Sequence, residues 1–225
     1  MPALPQPRGV LAAFLAVCVV NVVAVGVGLE VVAAATKPFI VGLLMVWAWL
    51  ATDRRPPRLL MVGLAFALLG DVLLDVPGTI AFLAGMGAFL VMQVCYIRGF
   101  LTLGAGDRLR SRPVVAGGWL LLWVALNVVL GPLLGELRWP IAVYSLALVA
   151  MAASAVATGE RLVGIGGVLF LVSDLLIGLR AAEVSIPASG VLVMATYAAA
   201  QVLITVGWVA LVRSRHGAQQ SVVTG

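Results

Sequence analysis

Eight apolar runs divide the chain, at 10–29, 35–51, 59–76, 79–101, 114–131, 139–157, 162–180 and 187–212. Each is close to the roughly 20 residues that an α-helix needs to cross about 30 Å of hydrocarbon. The separators are short and carry turn chemistry: DRRPPR at 53–58, VPGT at 76–79, GAGDRLRSRP at 104–113 and SIP at 185–187. None is long enough for a linker. The alternating segments of a membrane barrel are missing, so the backbone must satisfy its polar groups within helices. The pattern predicts an all-α integral membrane protein, an eight-transmembrane-helix bundle in a single domain over 10–212, with tails at 1–9 and 213–225.

Composition agrees. Of 225 residues, 63% are hydrophobic and 10% charged, against roughly 45–50% apolar and 25% charged in soluble domains. Charge placement then orients the bundle, because cytoplasmic loops collect Arg and Lys. With the N and C termini both cytoplasmic, only Arg138 and Arg180 among the arginines fall outside, and Lys37 falls within a span. The formal charge of +5 is thereby a matter of topology, and no nucleic-acid partner is called for. Arg8 and the small residues at 33–35 mimic a signal peptide, but an apolar run of about 20 residues exceeds the about 7–15 of a signal core. A retained helix is expected. Thirteen Arg against one Lys, with abundant Ala, Val and Gly, points to a bacterial cell inner membrane as the home of this multi-pass chain.

The two halves correspond weakly. Pro38 begins span two and Pro140 span six; Asp71 and Asp174 follow these prolines by 33 and 34 residues, and Gln93 and Gln201 extend the match into spans four and eight. Four spans per half would relate the halves by an axis along the membrane normal, a 4+4 parallel pseudo-repeat. Both aspartates lie about 12 residues from the cytoplasmic start of their spans, or about 18 Å at 1.5 Å per residue. Equal depth makes one shared site the expectation.

Asp71 and Asp174 are the candidates for chemistry, since an Asp at the centre of a membrane helix costs roughly 2.5–3.5 kcal/mol on the insertion scale. Asp75 shares a helix face with Asp71, and reads either as part of the site or as a solvated helix end. Lys37 either pairs with an aspartate or snorkels to the headgroups. Gln93 with Tyr96, and Tyr197 with Gln201, each share a helix face, while Tyr144 and Ser173 add hydroxyls. These residues either tie helices together or line a common polar cavity. Glu30 is a further rim candidate. Trp47, Trp49 and Trp139 read as interface anchors, and Gly85, Gly87, Gly164, Gly166 and Gly167 as close-packing positions. Cys18 and Cys95 lie in different spans and no His lies in any, so no metal or cofactor is called for.

Two neighbouring buried carboxylates separate into an acid and a base. The pair suits hydrolysis of an acid-labile ether, in which one carboxyl donates a proton and the other activates water. It suits proton-coupled transport of a lipid or small molecule equally.

In chain order the sequence carries TKPFIVGLLM at 36–45, ALLGDVLL at 67–74, GAFLVMQVCYIRGF at 87–100, RWPIAVYS at 138–145, GGVLFLVSD at 166–174 and TYAAAQVLI at 196–204. In these blocks it resembles the YhhN-like lysoplasmalogenase family of multi-span membrane proteins. The resemblance implies hydrolysis of the vinyl ether bond of a lysoplasmalogen, with a lysophospholipid as partner and a fatty aldehyde and glycerophospho-headgroup as products. The family's Lys-Pro falls on Lys37 and Pro38, its Gly-Asp on Gly70 and Asp71, and its Ser-Asp on Ser173 and Asp174. One position departs from that pattern: Gln93 stands where many members carry a histidine, which removes a titratable group. The implied catalytic residues are Asp71 and Asp174. Lys37, Asp75, Gln93, Tyr96, Tyr144, Ser173, Tyr197 and Gln201 are the implied substrate-binding set.

Overall fold

Helices occupy all eight apolar runs: α1 (Arg8–Gly26), α2 (Glu30–Ala51), α3 (Arg58–Leu74), α4 (Thr79–Thr102), α6 (Pro113–Leu130), α7 (Arg138–Ala157), α8 (Arg161–Ala181) and α9 (Ser189–Val223). A computed structural model describes the backbone of residues 7–223 and the side chains of 7–215. Residues 1–6 of the predicted N-terminal tail, and 224–225 at the other end, lie outside the described residues. No strand occurs among the described residues. Seven of the helices are long and apolar enough to cross a membrane; α3, with 17 residues, is shorter.

Several boundaries differ from the sequence reading, each for a local reason. The loop at 104–113 contains a further helix, α5 (Ala105–Ser111), which starts after Gly104 turns the chain at φ +84° and which buries Ala105 completely. Span two begins at Glu30, five residues earlier than expected, so Pro38 lies inside α2 instead of opening it. Its ring removes one backbone donor from the third turn. Helix α9 continues without a break into the predicted tail as far as Val223. Short 3₁₀ turns at Gly131–Leu133 and Gly135–Leu137 join α6 to α7.

Small residues let the helices approach. Gly70 of α3 faces Gly85 of α4: a Cβ on Gly70 would come within 2.7 Å of the Phe89 ring, and one on Gly85 within 3.3 Å of the Gly70 carbonyl. On the other side of the molecule a Cβ on Gly166 of α8 would lie 2.9 Å from the Ala200 carbonyl and the Ile204 amide of α9. Gly87 meets nothing within 4 Å, so its expected packing role is not seen. Trp47 is also not an interface anchor: it is buried with Leu44 and Ala48 in the core, whereas Trp49 and Trp139 are exposed under the guanidinium groups of Arg54 and Arg138.

Helix α4 runs through the centre. Its inward stripe is Phe82, Met86 and Phe89 in one half and Gln93, Tyr96 and Phe100 in the other, following the three- and four-residue steps of a single helix face. Tyr96, Phe100 and Trp208 of α9 are buried and packed ring against ring, with centroids 4.9–6.0 Å apart. Gly99 leaves the space that the Trp208 ring occupies. This aromatic layer closes the bundle on the side of the arginine-bearing loops.

Candidate functional site in the bundle

Above the aromatic layer lies a cavity of about 120 Å³. Asp71 enters it from α3 and Asp174 from α8, so the two aspartates, 103 positions apart in the sequence, share one chamber. Asp71 is buried; Asp174 is partly open to the chamber.

The two carboxylates have different surroundings. Tyr197 of α9 donates its hydroxyl hydrogen to Oδ2 of Asp71 at 2.6 Å. The Lys37 ammonium stands 3.9 Å from Oδ1 of the same residue and donates to its backbone carbonyl at 3.2 Å. That ammonium is also bound to Asp75, 2.9 Å from Oδ1, where α3 has just ended. Lys37 can reach both because it lies in the third turn of α2, well below the helix start. Among the described residues Asp174 has no such cation, and its one hydrogen-bond donor is the hydroxyl of Tyr144 on α7, bound to Oδ2. Asp71 thus faces a positive charge and a hydroxyl, and Asp174 a hydroxyl alone.

Aromatic rings fix the Tyr197 hydroxyl. Phe89 and Phe170 meet the Tyr197 ring edge to face at 6.0 and 5.8 Å, arrangements that add to ordinary burial. Ser173, next to Asp174, donates to the Val193 carbonyl of α9 at 3.1 Å and so ties α8 to α9 at the level of the site.

Of the residues singled out in the sequence, Lys37, Asp71, Tyr144, Ser173, Asp174 and Tyr197 line the cavity. Four others do not. Asp75 lies behind Lys37, while Gln93, Tyr96 and Gln201 are fully buried beneath the chamber. Tyr96 donates to Oε1 of Gln201 at 3.1 Å, and Gln201 in turn donates to Sδ of Met92 at 3.7 Å. Gln93 lies close to the Tyr144 hydroxyl, and neither of its amide atoms makes a well-formed hydrogen bond among the described residues. Glu30 is exposed and away from the cavity.

Sequence reasoning passed over Asn127 of α6 and Ser145 of α7, both of which line the chamber. Asn127 donates to Ser145 Oγ at 3.3 Å, and Trp123 Nε1 donates to the same oxygen at 3.2 Å. The available signal was an isolated amide in span five. No group of three or more metal-ligating side chains occurs among the described residues.

What the arrangement can do is proton transfer in two directions: a carboxylate held beside an ammonium accepts a proton, and a carboxyl with only a hydroxyl neighbour gives one. The rest of the cavity wall is apolar, with Leu74, Met86, Leu126, Leu130 and Leu171 among its side chains.

The model of the YhhN family matches residues 32–208, which include every cavity residue named above. Two mycobacterial proteins named lysoplasmalogenase, from Mycobacterium bovis and Mycobacterium tuberculosis, are each 36% identical over 166 residues, covering 68% of this chain and 61% of theirs. The human protein named lysoplasmalogenase TMEM86B is 32% identical over 152 residues, covering 66% of this chain and 62% of its own. The chain thus matches about three fifths of the length of these curated relatives. No solved structure matches.

Proposed function

This chain belongs to the YhhN family, and from that premise we propose that it is a membrane-embedded hydrolase of the vinyl ether bond of a lysoplasmalogen. The observation that carries the reading is the pair of carboxyls from α3 and α8 facing one mostly apolar chamber in unequal company. The relatives' names point the same way and give the transport reading no support.

Asp174 is the acid and Asp71 the base. Asp174 gives its proton to the outer carbon of the C=C bond, which places positive charge on the ether carbon and oxygen. Asp71, kept as a carboxylate by Lys37 and Tyr197, takes a proton from water as the water oxygen bonds to that carbon. The hemiacetal collapses when Asp71 returns the proton to the glyceryl oxygen and the hemiacetal hydroxyl gives its own to Asp174. One water is consumed, a fatty aldehyde and a glycerophospho-headgroup leave, and both side chains regain their starting state. Tyr144 and Tyr197 hold the carboxyls, and Lys37 carries the charge that separates their roles. Gln93, Tyr96 and Gln201 act from below, as supports.

In this reading α3 completes eight spans, both termini lie on the cytoplasmic side with the arginine-rich loops, and the membrane is the inner membrane of a bacterium. The decisive experiment is aldehyde release from lysoplasmalogen by the purified protein and by its Asp71→Asn and Asp174→Asn variants. Loss of release in both, with the fold intact, is expected; wild-type rates in both would sink the proposal.

A further inference from the structure

The chamber is charged at one end and apolar at the other, and its apolar end is bounded by a helix that barely belongs to the bundle. No residue of α6 is buried. It is held to α7 by Trp123, which donates to the Ala142 carbonyl and to Ser145 Oγ, and by Asn127 on the same serine. Its outward side is exposed and aliphatic, with Leu121, Val128 and Val129 each about two thirds open. Beyond it the chain leaves regular helix for two 3₁₀ turns, the second starting at Gly135 with φ +52°.

Elsewhere helices meet closely, α3 on α4 at Gly70 and Gly85 and, below the chamber, α8 on α9 at Gly166. Across the chamber from α6 stands the α4 stripe of Phe82, Met86 and Phe89, spaced i, i+4 and i+7 on one face; Leu126, Leu130 and Leu134 complete the opposite side. These side chains bear no polar atom that could bind a headgroup. Asn127 is the polar exception on α6, and its amide nitrogen is engaged with the Trp123 carbonyl and Ser145.

Resting on the hydrolase reading, we propose that the seam between α4 and α6 is the subsite for the single hydrocarbon chain of the lysolipid, and that Leu126 and Leu130 set the chain length accepted. A chain lying there projects past α6, whose residues are all at least partly exposed, toward the lipid bilayer, while the bond to be cut rests between Asp71 and Asp174 and the headgroup faces the Lys37 end. Methylene groups in this seam exchange lipid for contacts with largely apolar side chains, so the subsite selects mainly by length and shape.

The test is photolabelling of the full-length protein with a saturated 1-O-alkyl lysophosphatidylethanolamine that carries a diazirine at mid-chain, with and without excess unlabelled lipid of the same kind. Label at 82–89 and 126–134 that the unlabelled lipid displaces supports the subsite. Displaceable label confined to other helices, or no displaceable label, overturns it. Because this probe has no vinyl ether, the result is independent of cleavage: aldehyde release combined with displaceable label elsewhere defeats the seam and leaves the reaction standing. In the same protein, Leu126→Trp and Leu130→Trp should move the preferred chain to shorter lengths, with kcat/KM for the longest chain falling about tenfold relative to the shortest, while an unchanged length profile in both variants counts against the assignment.

Discussion

Lys37 binds Asp75 more closely than it binds Asp71, with 2.9 Å to Oδ1 of the first and 3.9 Å to Oδ1 of the second. The partly exposed carboxylate therefore holds the ammonium in place for the buried one. Asp75→Asn should leave the protein folded and lower kcat by several-fold with little change in KM, because Lys37 loses its tether and not its charge. Lys37→Met should cost more, on the order of 10²-fold in kcat, the low end of what a positioned acid–base group supplies. Steady-state aldehyde release by the two variants gives the comparison, and a milder Lys37→Met would contradict it.

The tyrosine hydroxyls can be tested one at a time. A hydrogen bond to a charged group contributes about 1.5–3 kcal/mol, and Tyr197→Phe removes such a bond from Asp71 while keeping the ring between Phe89 and Phe170. We expect kcat to fall about 10- to 100-fold in Tyr197→Phe, together with a lower unfolding midpoint in detergent, because the buried Asp71 loses a donor. Tyr144→Phe should fall at least as far if Asp174 is the acid, because the hydroxyl of Tyr144 is the donor that meets the charge left on Asp174 once its proton is given up.

Packing at the α8–α9 contact is tight enough to reveal a single methyl group. Gly166→Ala places Cβ 2.9 Å from backbone atoms of Ala200 and Ile204, which cannot rotate away, and overpacking of this kind costs about 1–3 kcal/mol. A lower unfolding midpoint is expected. Gly87→Ala is the control, with open space around it and a helix propensity gain of up to about 1 kcal/mol; its midpoint should hold or rise.

Neither buried amide atom of Gln93 makes a well-formed hydrogen bond among the described residues, and a buried unsatisfied polar group costs about 1–3 kcal/mol. Replacing it by an apolar residue of similar length, Gln93→Leu, should raise the unfolding midpoint. A large drop would mean that the amide is satisfied in the folded protein, and would assign it a structural role.

The helices and the two aspartates were legible in the sequence because a run of apolar residues and a charge within it are signals along one dimension. Facing was not. These helices are apolar on nearly all sides, so no moment distinguishes lipid from core, and Trp47 looked like Trp49 although one is buried and the other exposed. For the same reason Tyr96 and Gln201 could not be told from Tyr144 and Tyr197: all four sit on polar faces, but two bind each other beneath the chamber and two bind the aspartates. Lys37 was placed at the wrong turn of its helix because Pro38 looked like a helix start, whereas a proline within a membrane helix is tolerated when its neighbours compensate. Asn127 and Ser145 were missed since neither is ionisable. The matching pattern of the two halves predicted that the aspartates would meet, yet the partners they meet differ: a lysine and an α9 tyrosine for one, an α7 tyrosine for the other.

The buried ring stack of Tyr96, Phe100 and Trp208 lies beneath the chamber, on the side of the arginine-bearing loops. A chamber that shuttles protons inside a membrane would become a leak if it were open on both sides, discharging the ion gradient with every turnover. On the hydrolase reading, a floor of stacked rings lets the chain keep acid and base within the bilayer and still remain an insulator.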